Sequence, residues 1–106
     1  MRPMAQPQLP LPAAQALRKL GRDLALARRK RRISTTDMAA RLFVSRDTLY
    51  RLERGDPTVS IGTLSTAAFV LQLNNRLADL AAPSTDALAL ALDEERLPKN
   101  IHQPKK

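Results

Sequence analysis

The chain's most informative chemical groups are basic side chains, and they are concentrated in one third of the sequence. Of the 106 residues, 18 are Arg or Lys and 10 are Asp or Glu, which gives a net charge of +8. The segment from Arg18 to Arg54 carries twelve basic and four acidic residues, while the rest of the chain carries six of each. A basic face can also serve only to keep a protein in solution, but its concentration in one segment favours contact with nucleic acid phosphates.

No group of residues in the sequence is typical of catalysis or of metal binding. The chain has no cysteine, which excludes disulfides and thiolate metal sites. Its one histidine, His102, is in a polar tail, and the three consecutive acids that begin at Asp93 do not converge on one helix face. We interpret Arg54-Gly55-Asp56 as a helix end and a turn rather than as an adhesion motif. We therefore expect no catalytic residues, no metal, no cofactor and no enzyme activity.

The composition divides the chain into three parts. Prolines among the first residues predict a flexible arm over residues 1–12. Residues 13–82 are predicted to form the folded domain, and residues 83–106 an extension with a helix over about 85–96 and a polar tail. No apolar run approaches the ~20 residues of a membrane span, and the first residues lack the apolar centre of a signal peptide. We therefore expect a cytoplasmic protein with no membrane partner.

Apolar periodicity predicts five helices in the folded domain. Leu17, Leu20 and Leu24 recur at intervals of three and four residues, which indicates a first helix over about 13–31. Serines are placed to cap the next three helices at Ser34, Ser45 and Ser60. Gly55 is suited to end the third helix. Alternating leucines from Leu88 would also suit a strand, but the propensities of the extension favour a helix.

Two short helices with a tight turn between them, followed by a Glu-x-Gly end, give the chain a family resemblance. Residues 24–64 resemble the helix-turn-helix domain of the lambda-repressor/Cro type, also called the XRE type, and the helical layout extends the resemblance to about 17–81. The residues that carry it are Arg28, Ser34, Met38, Ala39, Val44, Ser45, Leu49, Leu52, Glu53, Gly55, Ile61 and Leu64. The resemblance implies an all-α, five-helix lambda-repressor-like domain with an extra carboxy-terminal helical segment.

Two positions depart from the family pattern. The family usually has Gln at the start of the second helix, where it binds a phosphate, and this chain has Thr35. The family often has Gly in the turn, and this chain has Phe43. Either the turn keeps a positive φ, with about 1–2 kcal/mol of strain at Phe43, or the turn is reshaped and Phe43 covers the edge of the core.

The resemblance implies that the third helix lies in the major groove of double-stranded DNA. By position, the side chains that face the bases are Arg46, Asp47, Tyr50 and Arg51. The two arginines suit guanine and the aspartate suits cytosine, although both arginines could instead be exposed helix residues that pair with Asp47 or Glu53. The residues that the resemblance places at phosphates are Ser34, Thr35, Ser45, Thr48, Arg54 and Thr58.

The resemblance also implies an ion pair between Arg28 on the first helix and Glu53 at the end of the third. If the pair is buried, loss of one partner costs about 3–5 kcal/mol. An exposed pair would contribute less than about 1 kcal/mol. The two cases differ in the effect that replacement of Glu53 has on the melting temperature.

Proteins of this family usually bind palindromic operators as homodimers, and we expect a dimer interface at Leu73, Leu77 and Leu80. The pattern from Arg54-Gly55-Asp56-Pro57 through residues 76–80 to residues 94–99 resembles HipB-like antitoxins. That resemblance implies an autoregulatory repressor that neutralises a Hip-type Ser/Thr kinase toxin.

Two alternatives remain open from the sequence. The first is a stand-alone or phage-type repressor without a toxin partner, which the gene neighbourhood would distinguish. The second is a basic adaptor that binds RNA or protein, and the absence of base specificity would distinguish it.

Overall fold

The structure is a computed structural model that describes residues 8–92 and 98–100. The described helices are α1 (Leu11–Lys30), α2 (Thr35–Leu42), α3 (Arg46–Glu53), α4 (Ile61–Val70), α5 (Asn74–Ala78) and α6 (Ala87–Ala91), with a 3₁₀ turn at Pro83–Thr85. These residues include no strand, and the predicted all-α class is confirmed. The chain divides into two compact units between Asn74 and Asn75.

The core of the first unit is formed by one apolar face from each of its four complete helices. α3 packs against α1 and α2, and α4 packs against α2. The buried residues of this core are Leu24, Met38, Ala39, Leu42, Leu49, Leu52, Ala67 and Leu71. Leu73 is half-buried and packs against the same core. Because α3 contacts two helices, its orientation is fixed from two sides.

The predicted serine caps are confirmed at the first turns of α2, α3 and α4. The side-chain oxygens of Ser34, Ser45 and Ser60 each accept a hydrogen bond from the backbone N–H three residues later, at 3.0, 3.1 and 3.0 Å. Each cap satisfies one of the backbone donors that a helix start leaves without a helical acceptor. The caps therefore determine where these helices begin.

The turn between α2 and α3 has a left-handed residue at Phe43, with φ 56° and ψ 39°. Backbone N–H groups of Phe43 and Val44 donate to the carbonyls of Ala40 and Ala39, both at 3.1 Å, and these bonds close the end of α2. The Phe43 side chain is 92% exposed. Of the two alternatives from the sequence, the positive φ is observed and the proposed cover of the core edge is wrong, because the ring points into solvent.

Two helix boundaries differ from those predicted. α1 begins at Leu11, so Leu11 and Pro12 belong to the helix rather than to the arm. A proline fits the first turn because its missing N–H has no helical acceptor there and its φ suits a helix. In the second unit, α6 ends at Ala91, whereas a helix over about 85–96 was predicted. Residues 93–97 of that prediction, like residues 1–7 of the predicted arm and residues 101–106 of the predicted tail, lie outside the described residues.

Candidate nucleic-acid interface

α3 has one buried face and one exposed face. Leu49 and Leu52 are buried, and residues of an α-helix follow one another at about 100°. The opposite face therefore carries Arg46, Asp47 and Tyr50, and all three residues are exposed to solvent. Arg54, the residue that ends α3, is also exposed. The structure thus places the predicted base contacts Arg46, Asp47 and Tyr50 on one solvent-facing surface.

Two glycines allow α1 and the end of α3 to approach closely. A Cβ on Gly21 of α1 would lie 2.5 Å from the backbone oxygen of Glu53. A Cβ on Gly55 would lie 2.6 Å from the backbone of Leu17, and Gly55 has φ +79°. Neither distance is compatible with a side chain. The carboxyl end of α3 is therefore held directly against the backbone of α1.

Arg28 and Glu53 form a two-point ion pair beside this contact. Arg28 Nε donates to Glu53 Oε2 at 2.8 Å and Arg28 Nη2 donates to Glu53 Oε1 at 3.2 Å. Arg28 Nη1 donates to the Ile33 carbonyl at 3.0 Å. The two side chains are only 10% and 12% exposed. The pair therefore links α1, the start of the next turn and the end of α3 through contacts that are largely removed from water.

Arg51 is also bound within the chain, by the turn that follows α3. Its Nε donates to Asp56 Oδ2 at 3.1 Å, and its Nη2 donates to the Thr58 hydroxyl. Asp56 Oδ1 accepts from the Thr58 hydroxyl at 2.6 Å and from the Thr58 N–H at 2.8 Å. Hydrogen bonds from the Thr58 hydroxyl, the Thr58 N–H and Arg51 lower the pKa of Asp56 from 3.8 to about 2. Base contact by Arg51 and phosphate contact by Thr58 remain predictions.

Apart from Arg54, which ends α3, the other predicted phosphate contacts lie at the amino ends of α2 and α3. Ser34 and Ser45 are the exposed N-cap residues, and Thr35 is the half-buried first residue of α2. The Ser45 and Thr48 hydroxyls are 3.1 Å apart, so one donates to the other. Helix amino ends favour anions because their free N–H groups and the helix dipole are both positive there. The hydroxyls of Ser34 and Thr35 at the start of α2, and of Ser45 and Thr48 at the start of α3, therefore lie where a helix favours an anion.

The leucines predicted for a dimer interface are in different surroundings. Leu73 packs partly against the core of the first unit. In the second unit, Leu77 is half-buried and Leu80 is 82% exposed. Leu80 is therefore the member of this set with the most apolar surface available.

Two residues matter at this surface beyond those predicted for it from the sequence: Gly21, and Asp56, for which only a turn was predicted. Gly21 lies inside a helix, where glycine costs about 1 kcal/mol relative to alanine, and this cost is itself a signal of close packing. Asp56 belongs to an Asp-Pro-Thr turn, in which an aspartate commonly accepts a hydrogen bond from the residue two positions later. Its contact with Arg51 depends on the folded helix end and has no local signal.

Comparison with known proteins identifies the class to which this geometry belongs. A family model described as a helix-turn-helix domain matches residues 19–81, and the chain belongs to this family. The searches of curated proteins and of solved structures found no match. The family, of the XRE/lambda-repressor type, indicates a sequence-specific DNA-binding regulator.

Neither a metal cluster nor a membrane-spanning helix occurs in the part of the chain that the structure describes. Among residues 8–92 and 98–100, no group of three or more His, Cys, Asp or Glu side chains is arranged to hold a metal ion. The same residues contain no helix with the length and apolar character of a membrane crossing.

Proposed function

We propose that the chain is a transcriptional repressor that binds a palindromic operator as a homodimer, with α3 in the major groove. The observation that carries this proposal is the surface of α3, where Arg46, Asp47 and Tyr50 are exposed opposite a buried leucine face. Arg46 has the donors to contact guanine, and Asp47 has the acceptors to contact cytosine. The net charge of +8 supports the proposal because it favours approach to DNA.

Dimerisation would allow two copies of α3 to contact half-sites about one helical turn apart, at ~34 Å. Leu80 supports this part of the proposal because it is 82% exposed. A partner that covers this apolar side chain removes it from water, which stabilises the dimer. Sedimentation equilibrium of the wild-type chain and of Leu80→Glu tests it. We expect a dimer for the wild type and a monomer for the variant, and two dimers of equal stability would exclude Leu80 from the interface.

We further propose that the repressor is the antitoxin of a type II toxin–antitoxin pair and neutralises a Hip-type Ser/Thr kinase. The support is the HipB-like sequence pattern over residues 54–57, 76–80 and 94–99. In this function the chain represses its own operon and has no catalytic role. Co-purification with the product of the neighbouring gene tests the proposal. Recovery of a kinase is expected, and a neighbouring product that is not a kinase or does not bind would contradict it.

The DNA-binding proposal is tested with fluorescence anisotropy on the promoter of the chain's own gene and on scrambled DNA. Arg46→Ala removes a proposed base contact, whereas Lys19→Ala removes the same charge from α1. We expect Arg46→Ala to weaken promoter binding by about 5- to 100-fold relative to Lys19→Ala. Both variants should weaken binding to scrambled DNA to a similar extent. Equal effects on both DNAs would instead favour a basic adaptor that contacts only phosphates.

A further inference from the structure

Asp56 and Thr58 bind one edge of the Arg51 guanidinium. Arg51 Nε and Nη2 lie along this edge and donate to the Asp56 carboxylate and to the Thr58 hydroxyl. The Thr58 hydroxyl in turn donates a hydrogen bond to Asp56 Oδ1 at 2.6 Å. The three side chains therefore form a closed ring of hydrogen bonds, which fixes the guanidinium in position and in plane.

Among residues 8–92 and 98–100, the side-chain hydrogen bonds of Arg51 are those to Asp56 and Thr58, which leaves the other edge of the guanidinium available as a donor. Arginine has five N–H groups in a planar fork, and the bonds to Asp56 and Thr58 use one on Nε and one on Nη2. The remaining N–H groups of Nη1 and Nη2 include a parallel pair. Such a pair matches the spacing of the O6 and N7 acceptors of guanine.

We propose that Asp56 and Thr58 are positioning residues that orient Arg51 so that its free edge contacts a guanine of the operator. The inference rests on the proposed function, because it requires α3 to lie in the major groove. Arginine is a flexible side chain, and one that is ordered before binding loses less entropy when the complex forms. The pKa of Asp56, lowered to about 2 chiefly by Thr58, shows that the same hydrogen bonds stabilise the charged form of its carboxylate.

The backbone of the turn supports the same geometry. Gly55 N–H donates to Leu52 O at 3.0 Å and Asp56 N–H donates to Arg51 O at 2.9 Å, which closes the end of α3. The Asp56 side chain therefore begins next to the last turn of α3. The side chains of Arg51 and Asp56 are 31% and 29% exposed, so their contact is partly protected from water and salt.

Two variants break the ring at different points. In Asp56→Asn, the amide oxygen can still accept from the Thr58 N–H, while the amide NH₂ faces Arg51 Nε and cannot accept from it. In Thr58→Val, the charge of the turn is unchanged and the hydroxyl is lost. Thr58→Ser keeps the hydroxyl and is the matched control. Melting temperatures establish that each variant is folded.

The experiment measures binding of each variant to the promoter fragment, to the same fragment with single guanines replaced, and to scrambled DNA. We expect Asp56→Asn and Thr58→Val to weaken promoter binding by about 3- to 10-fold and to reduce the preference for one guanine. Thr58→Ser should keep the wild-type affinity and the wild-type preference for that guanine. On an Arg51→Ala background, Asp56→Asn should change affinity by less than about twofold, because its effect acts through Arg51.

Three results would overturn the inference. Tighter binding of Asp56→Asn to both DNAs alike would mean that Asp56 only repels phosphates. An undiminished effect on the Arg51→Ala background would mean that Asp56 acts without Arg51. A wild-type chain that binds promoter and scrambled DNA equally would overturn the proposed function, and this inference with it.

Discussion

Replacement of Glu53 by Gln tests whether the pair with Arg28 fixes α3 against α1. The side chains have nearly the same shape, so the variant removes the negative charge and leaves the packing in place. Arg28 would then keep its positive charge in surroundings where its side chain is only 10% exposed. Its Nε and Nη2 would face one amide group in place of two carboxylate oxygens. The variant therefore isolates the contribution of the ion pair.

The expected loss follows from the burial of the pair. Removal of one partner from a buried pair costs about 3–5 kcal/mol, and a shape-conserving replacement should lie near 3 kcal/mol. For a domain of this size, each kcal/mol lowers the melting temperature by about 4–8 °C. Glu53→Gln should therefore melt about 12–24 °C below the wild type. Because α3 would also lose its fixed position, promoter affinity should fall with it.

The matched control is Asp23→Asn, which breaks the pair between Lys19 and Asp23 on α1. That pair is as short, at 2.7 Å, but its side chains are 72% and 57% exposed. Water solvates both charges, so its loss should cost less than about 1 kcal/mol. Thermal unfolding followed by circular dichroism at low salt compares the two variants. If Glu53→Gln melts within a few degrees of Asp23→Asn, the reasoning from burial is refuted.

Three further variants test other parts of the structure. Gly21→Ala should lower the free energy of unfolding by about 1–3 kcal/mol in urea denaturation, because its Cβ would lie 2.5 Å from Glu53 O; unchanged stability would exclude the close approach. Phe43→Gly should raise it by about 1 kcal/mol, because φ is 56° and the ring is 92% exposed; a loss would show that the ring packs. The Asp56 carboxylate should stabilise the fold fully above its ordinary pKa of 3.8, and this contribution should disappear as the pH falls towards about 2. Denaturation between these pH values should show a loss of unfolding free energy in the wild type that Asp56→Asn lacks. If the unfolding free energies of both proteins fall in parallel with pH, the stabilising role of the Asp56 carboxylate is contradicted.

The beginnings of the helices can be predicted from the sequence because their chemistry is local. A serine hydroxyl at Ser34, Ser45 or Ser60 lies within reach of the N–H three residues later whenever the chain starts a helix. Gly55 is predictable for a similar reason, because its left-handed φ of +79° is a conformation that glycine adopts without strain. These features require no knowledge of the remainder of the fold.

The conformation of Phe43 depends on more than its own preferences. A bulky residue disfavours φ 56°, and the sequence alone leaves a reshaped turn open as the alternative. The hydrogen bonds that end α2 and the burial of both neighbouring helices decide between these alternatives. Arg32 and Gln72, with φ 58° and 60°, are likewise left-handed residues other than glycine, and they follow the ends of α1 and α4.

The candidate site also has one part that can be predicted from the sequence and one part that cannot. The exposed face of α3 follows from helical periodicity, since Leu49 and Leu52 determine the inner side and Arg46 then lies outside. The contact between Arg51 and Asp56 does not follow from periodicity, because it forms only after the helix end and the turn have folded back. Sequence patterns therefore identify the surface, whereas tertiary structure determines which of its arginines is oriented by other side chains.

The most direct test of the account is the affinity of the wild-type chain for its own promoter and for scrambled DNA of equal length, at physiological salt. Specific protein–DNA complexes are commonly at least about 1,000-fold tighter than the non-specific complexes of the same protein. We predict a difference of this order, since α3 exposes donors and acceptors as well as charge. Equal affinities that fall together as salt is added would contradict the central claim and leave only a basic surface.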